Sequence, residues 1–340
     1  MRAVAPGFWA RPPGVLAELL WPAGAVWSAA GRLRRALVHP YCPPIPVICV
    51  GNMVAGGAGK TPVTLALGAD LITRGIAVHI VTRGYGGRLR GPVQVDSDCH
   101  DAAAVGDEAL LLALRAPCWV ARNRADGVRA AVAAGAQVVL LDDAFQNPDV
   151  TKTLSIVVVD AAYGLGNGRV IPAGPLRESV DNGLARADAV VLLKSDHAIA
   201  SVQLPLNKVL PILPAVLSPI RGERLAGTRL LAFAGIGQPE KFFATLRALG
   251  AVLVGTRAFP DHHPFRKAEV ERMIRDAERA QARLVTTAKD IVRVPSANHS
   301  GIEVLEVEVR WHDPAKLKAL LMPLVSAAHR SGRGTADQLD

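Results

Sequence analysis

The residues best suited to chemistry begin in the run Gly51-Asn52-Met53-Val54-Ala55-Gly56-Gly57-Ala58-Gly59-Lys60-Thr61-Pro62. Glycines let backbone N–H groups turn toward a phosphate chain, Lys60 adds a point charge, and the Thr61 hydroxyl is a ligand for Mg²⁺. Gly56, Gly57, Ala58, Gly59, Lys60 and Thr61 are therefore the candidate nucleotide-binding residues. The strict G-x-x-x-x-G-K-[ST] pattern has glycine at position 54, where Val54 stands; the local spelling is the shorter G-G-x-G-K-T. Such a turn needs carboxylates at the end of a neighbouring strand to manage the metal, and Val138-Val139-Leu140-Leu141 followed by Asp142-Asp143 supplies them. Further acids and bases stand at Asp107-Glu108 behind Gly106, at Asp261-His262-His263, and at Arg177-Glu178. Each also has an ordinary explanation: charge at a helix N-terminus, a solvated or metal-binding histidine pair, and an exposed ion pair of little consequence.

Positioning these groups requires strands that end where the acids and glycines stand. Pro46–Val50 spells a buried strand before the glycine turn, and Thr61–Thr73 a helix after it. Short apolar runs recur at Ala77–Val81, Gln137–Leu141, Leu154–Val159 and Ala189–Leu193, with helical patterns at Asp107–Leu114 and Asn123–Ala134. Buried strands alternating with helices predict a mostly parallel sheet covered on both faces. After a Pro-interrupted stretch, Leu204–Arg221, the alternation restarts. Strands are expected at Arg229–Phe233, Ala251–Gly255, Arg283–Thr287 and Glu303–Val309, with helices at Glu240–Leu249, Arg266–Ala280 and Pro314–Leu321. The fold class is α/β: a P-loop domain over 41–220 and a smaller, Rossmann-like α/β domain over 221–328, preceded by an N-terminal segment (1–40) and followed by a polar tail (329–340).

The chain has 340 residues, half of them hydrophobic, which excludes disorder as its dominant state. Four cysteines without a C-x-x-C pair exclude a disulfide scaffold and a structural zinc, and suit a reducing cytosol. A formal charge of +9 favours an anionic partner, but only 4% of residues are aromatic and no basic stripe carries them, so nucleic acid is not expected. The segment Gly14–Gly31 is nearly all apolar, holds Trp21 and Trp27, and is followed by Arg32, Arg34 and Arg35. Pro22 and Gly24 interrupt a stretch that barely reaches spanning length, so a helix lying in the interface of an anionic membrane is expected rather than a crossing.

Taken in order, these motifs, together with Thr82-Arg83-Gly84-Tyr85-Gly86-Gly87, Pro172–Glu178, Phe259-Pro260-Asp261-His262 and Thr286-Thr287-Ala288-Lys289-Asp290, closely resemble the tetraacyldisaccharide 4′-kinase family of lipid A synthesis. The resemblance runs from about residue 8 to 325 and includes the Arg-flanked N-terminus, which in that family seats the enzyme on the cytoplasmic face of the inner membrane. It implies ATP-dependent phosphorylation of the 4′-hydroxyl of a glycolipid, a lipid A disaccharide precursor, with Mg²⁺. By the same resemblance Lys60 and Thr61 hold the β/γ-phosphates and metal, Asp142 and Asp143 organise the metal, Asp107 is the base and His262 tunes it. Arg177 and Glu178 match a pair near the phosphates and the metal. Four positions depart from the family spelling: Ala144 and Asn147 in D-D-G-F-Q-H, Ala109 after Gly-Asp-Glu, and Ala288 in T-T-E-K-D. Asn147 cannot titrate, which removes any acid–base role there.

Another class of protein shares the glycine turn: a membrane-associated P-loop switch ATPase or GTPase acting on a protein partner. Leu193-Lys194-Ser195-Asp196 approaches the guanine-reading [NT]-K-x-D but lacks its first residue. On the kinase reading, deletion of residues 1–35 is expected to weaken membrane association and lipid affinity and to spare ATP binding. Asp107 and His262 belong to different predicted domains, so their contact requires a cleft between the two.

Overall fold

The structure, a computed structural model, describes residues 6–195 and 209–336. After a 3-10 turn at Gly7–Ala10 come α1 (Val15–Leu37), β1 (Val47–Gly51), α2 (Lys60–Thr73), β2 (Val78–Thr82) and β3 (Val93–Gln94). Next are α3 (Ala102–Val105), α4 (Asp107–Ala113), β4 (Cys118–Val120), α5 (Arg124–Ala133), β5 (Val138–Asp142), β6 (Leu154–Asp160), α6 (Val180–Arg186) and β7 (Ala189–Ser195). The chain continues through β8 (Ile212–Pro219), β9 (Arg229–Ala234), α7 (Pro239–Ala248), β10 (Val252–Ala258), α8 (Lys267–Arg279) and β11 (Arg283–Thr287). It closes with α9 (Ala288–Ile291), β12 (Ile302–Leu305), β13 (Val307–Trp311) and α10 (Pro314–Ala336).

Among the described residues the strands form two sheets, of nine strands in the order β13-β8-β7-β6-β1-β5-β2-β4-β3 and of four in the order β10-β9-β11-β12. Only the two edge pairs, β13 with β8 and β3 with β4, run antiparallel. Strand β1 is central and wholly buried. Its alternate residues enter two cores: Ile48 and Val50 pack with Val63, Leu67 and Leu71 of α2 and with α10, while Val47 and Cys49 pack with Val128 and Ala131 of α5. Two buried faces explain why the strand is a continuous apolar run rather than an alternating one. In the smaller sheet β9 divides its side chains likewise, Leu230 and Ala232 toward Phe243 of α7, Leu231 and Phe233 toward Met273 of α8.

Two expectations need correction. The strand expected over Glu303–Val309 is two strands in different sheets: β12 closes the smaller one, and β13 crosses back to pair with β8. Glu306, between them, is where the chain changes sheets, a switch that one apolar run cannot signal. Helix α10 follows β13, buries Leu317, Leu321, Leu324 and Ala328 in the core of the nine-stranded sheet, and runs to Ala336, into the segment expected as a tail. Residues from Val307 onward therefore pack with the first sheet. The N-terminal segment is one helix, α1, that runs on through Pro22 and Gly24. Proline there forgoes one bond to the Glu18 carbonyl, and Gly24 lets the helix approach its neighbour closely. No helix among the described residues is long and apolar enough to cross a membrane. Asp196 of the guanine-reading near-match lies outside the described residues.

Candidate active site

The phosphate turn leaves the C-terminal end of β1 beside β5, whose Asp142 pairs in register with Val50. Gly56 and Gly59 hold positive φ (119° and 81°), the second as the residue that opens α2. Gly59 also lies against Leu193, where an added Cβ would stand 2.3 Å from the leucine methyl. At Gly56 and Gly57 a Cβ would meet nothing within 4 Å, so that side of the turn is open, whereas Ala58 is buried. Buried Asn52 stiffens the turn from within by donating to the Gly56 carbonyl at 3.2 Å. Gly51 is required for a different reason: Phe145 packs so closely that a Cβ would lie 2.4 Å from it.

Lys60 Nζ lies 3.7 Å from Asp143, which Arg177 also grips through two bonds of 2.7 and 3.2 Å. Burial acts to raise the Asp143 carboxyl, but Lys60 and Arg177 outweigh it and hold the group below the usual range. Its φ of 51° is a left-handed conformation uncommon outside glycine, stored where the acid must face the turn. Asp142 has the opposite environment. Thr64 donates to its Oδ1 at 3.0 Å, while Oδ2 is buried without a partner. Burial, with Glu108 and Asp143 nearby, pushes it up to about 7. An orphaned carboxylate oxygen that resists ionisation is a place where a hard cation fits, as one of the one or two protein carboxylates Mg²⁺ takes beside phosphate and water. No group of three or more His, Cys, Asp or Glu side chains is gathered for a metal among the described residues.

Asp107 opens α4 behind Gly106, whose φ of 90° and contact with the Tyr85 carbonyl leave no room for a Cβ. Its carboxylate is 4% exposed and lies against the smaller sheet. His262, in the loop after β10 with φ of 60°, donates from Nδ1 to Asp107 Oδ2 at 2.7 Å. Arg293 Nε lies 3.4 Å from the same oxygen, and Lys289 pairs with Glu108 at 3.3 Å. Burial opposes ionisation of Asp107, but the His262 bond, Lys289 and Arg293 hold it below the ordinary carboxylate range. The two predicted domains thus meet at Asp107. Helix α4 also packs against α2, the helix that Lys60 begins.

Glu178, which the resemblance places near the metal, is buried among cations and an amide. Arg186 Nη2 reaches both of its oxygens, at 2.6 and 2.5 Å, Gln146 donates at 3.1 Å and Arg35 stands at 3.6 Å. Asn147 turns to its own loop, donating to Asp149 and accepting from the Asp149 amide. Ala109 and Ala144 are buried packing residues. Arg293 and Thr64 are site residues that lie outside the motifs, and Asn52 and Gln146 stand inside two of them without a role that spacing assigns. For Arg293 one signal exists: it stands three residues after Asp290, on the same face of a helical turn, and the two pair.

A mostly parallel sheet with an open phosphate turn, paired strand-end acids beside it and a buried carboxylate–histidine pair where segments of the two sheets meet defines a P-loop phosphotransferase. The family profile described as LpxK, Tetraacyldisaccharide-1-P 4'-kinase, matches residues 16–326, and the chain belongs to that family. It is 51% identical over 335 residues to the tetraacyldisaccharide 4'-kinase of Rhodospirillum centenum, covering 97% of this chain and 99% of that one. Identity to the enzyme of the same name from Dinoroseobacter shibae is 51% over 332 residues, covering 96% and 98%. The crystal structure of LpxK from Aquifex aeolicus in complex with ATP superposes with a TM-score of 0.76 at 25% identity, over 92% of this chain and all of that one.

Proposed function

We propose that this chain transfers the γ-phosphoryl group of ATP to the 4′-hydroxyl of a tetraacyldisaccharide 1-phosphate. The observation that carries the reading is the Asp107–His262 bond, which holds a buried ionised carboxylate at the start of α4, the helix packed against the α2 that Lys60 begins. The turn's N–H groups and Lys60 hold the phosphate chain, and Arg177 and Lys60 fix Asp143 beside it. Asp107 accepts the hydroxyl proton as the 4′-oxygen bonds to phosphorus and the bond to the β,γ-bridging oxygen breaks; ADP leaves with that electron pair. His262 and Arg293 orient Asp107 and keep it ionised. Thr61 and Asp142 would hold Mg²⁺, which when bound neutralises phosphate charge. Glu178 acts as the anchor of Arg186 and Gln146 behind the turn.

Substrate of this kind stands in a bilayer, and α1 suits one. Ala17 and Gly24 face the protein, while Val15, Leu16, Leu19, Val26, Leu33 and Leu37 face outward, each at least half exposed. Trp21 and Trp27, each about half exposed, stand at the edges of the face that Ala17 and Gly24 turn inward, and Arg32 and Arg34 flank Leu33, matching an apolar surface edged by anionic headgroups. The test is transfer of labelled phosphate from ATP with Mg²⁺ to a monophosphorylated disaccharide lipid, read at the distal sugar. Wild type should label it, and Lys60→Ala should lose more than about a hundredfold in rate, the scale of one transition-state charge contact. Hydrolysis of ATP with no labelled lipid would refute the assignment.

A further inference from the structure

Five polar contacts and one close packing tie α1 and the turn before it to one segment of the body. Trp9 donates its Nε1–H to the Pro172 carbonyl at 3.1 Å, and its own carbonyl accepts from the Asn167 amide at 2.8 Å. Glu18 pairs with Arg169 at 2.5 Å, and Trp27 Nε1 donates to the Arg177 carbonyl at 3.1 Å. Arg35 stands 3.6 Å from Glu178. Gly24 lies against Val170, where an added Cβ would come within 2.9 Å of the carbonyl oxygen. The opposite side of this strap, residues 167–178, is bound to the phosphate turn. Ala55 N donates to the Pro175 carbonyl and Arg177 N to the Met53 carbonyl, both at 2.7 Å, and Val54 bridges Leu176. Gln146 Nε2 joins Glu178 to the Asn52 carbonyl, and Arg177 then grips Asp143.

We propose that Trp27, with Gly24, is a positioning residue of the phosphate site: α1 clamps the strap that carries Arg177, and bilayer contact on α1's outward face tightens ATP binding. The proposal rests on the ATP and bilayer readings above. A helix held at a membrane has less freedom to lift from the strap, so the phosphate-competent arrangement gains population. Linkage then requires the reverse effect, ATP strengthening membrane attachment by the same factor. The expectation that loss of residues 1–35 spares ATP binding is thereby reversed.

The test measures binding of Mg²⁺ with β,γ-imido-ATP to the full chain, with and without vesicles of phosphatidylethanolamine and phosphatidylglycerol, and sedimentation with those vesicles with and without the analogue. Wild type should bind the analogue about fivefold tighter on vesicles, and vesicles about fivefold tighter with analogue, about the worth of one net hydrogen bond. Trp27→Phe keeps a ring but removes the N–H. It should weaken analogue binding about fivefold in solution, shrink both linkage factors and raise KM for ATP, with the circular dichroism of the nucleotide-free protein unchanged. Leu19→Ala, on the outward side, should weaken vesicle binding and leave analogue affinity in solution as in wild type. Should Trp27→Phe not fold, Gly24→Ala, which wedges the helix off Val170, carries the same expected shifts. Equal analogue affinity on and off vesicles, or a Trp27→Phe protein that binds like wild type, overturns the coupling. No analogue binding to wild type overturns the kinase reading instead.

Discussion

Replacing Asp142 by Asn should stabilise the nucleotide-free protein at pH 8 relative to pH 5, while removing its response to Mg²⁺. The folded carboxyl titrates at about 7, against an ordinary value of 3.8, because it is buried beside Glu108 and Asp143. A carboxyl raised in this way favours the folded state while protonated, fully so below 3.8, and that contribution is lost as pH rises through about 7. From pH 5 to about 7 the unfolded group is already ionised and the folded one is not. Those two pH units, at about 1.36 kcal/mol each, make about 3 kcal/mol. The amide introduced by Asp142→Asn is itself left unpartnered, at a cost of about 1–3 kcal/mol, but equally at both pH values, so the difference between them is the quantity to read. Thermal melts of wild type and Asp142→Asn at pH 5 and pH 8 should show their gap shifting by about 4 °C in favour of the variant at the higher pH. Calorimetry should add that Mg²⁺ with ATP releases about one proton from wild type at pH 6 and far less at pH 9, because a cation at Oδ2 requires the ionised form. A melting gap that is the same at both pH values would refute the assignment of a buried, reluctant anion at this strand end.

Asp107→Asn should lower turnover about 10²–10⁴-fold with ATP affinity unchanged, in the range of one general base, and near-wild-type turnover would remove Asp107 from the chemistry. Arg293→Met takes away one of the cations that hold Asp107 low, so the acidic limb of the turnover profile should move to higher pH; an unmoved limb would separate the two residues. Gly59→Ala combines a positive φ with a 2.3 Å encounter with Leu193 and should abolish analogue binding in an otherwise folded chain, as judged by circular dichroism.

What the sequence could and could not reveal follows from how local each feature is. The phosphate turn, the strand-end acids and most elements were legible because glycine spacing and apolar runs are local signals. The meeting of Asp107 with His262 needed the family resemblance, since no spacing rule connects residues on two sheets. Arg293 offered only its three-residue spacing from Asp290; its reach to the Gly235 carbonyl and Asp107 was hidden because those groups arrive from two other segments. The apparent strand over Glu303–Val309 concealed a change of sheet because both halves are apolar for different neighbours. In α1, composition disclosed a hydrophobic helix, but only the packing of Ala17 and Gly24 shows which side is turned away from the protein.

The return of β13 has a practical consequence. Val307 pairs with Pro219, and the Ile220 amide donates to the Glu306 carbonyl at 2.9 Å, so the chain departs and comes home at one spot. A fragment ending at residue 220 would strip the larger sheet of an edge strand and of the α10 roof, and should aggregate rather than stand alone. Residues 221–306 instead form a detour with adjoining ends, a cassette that could be swapped between relatives, or replaced by a tight hairpin joining β8 to β13, without cutting through either core.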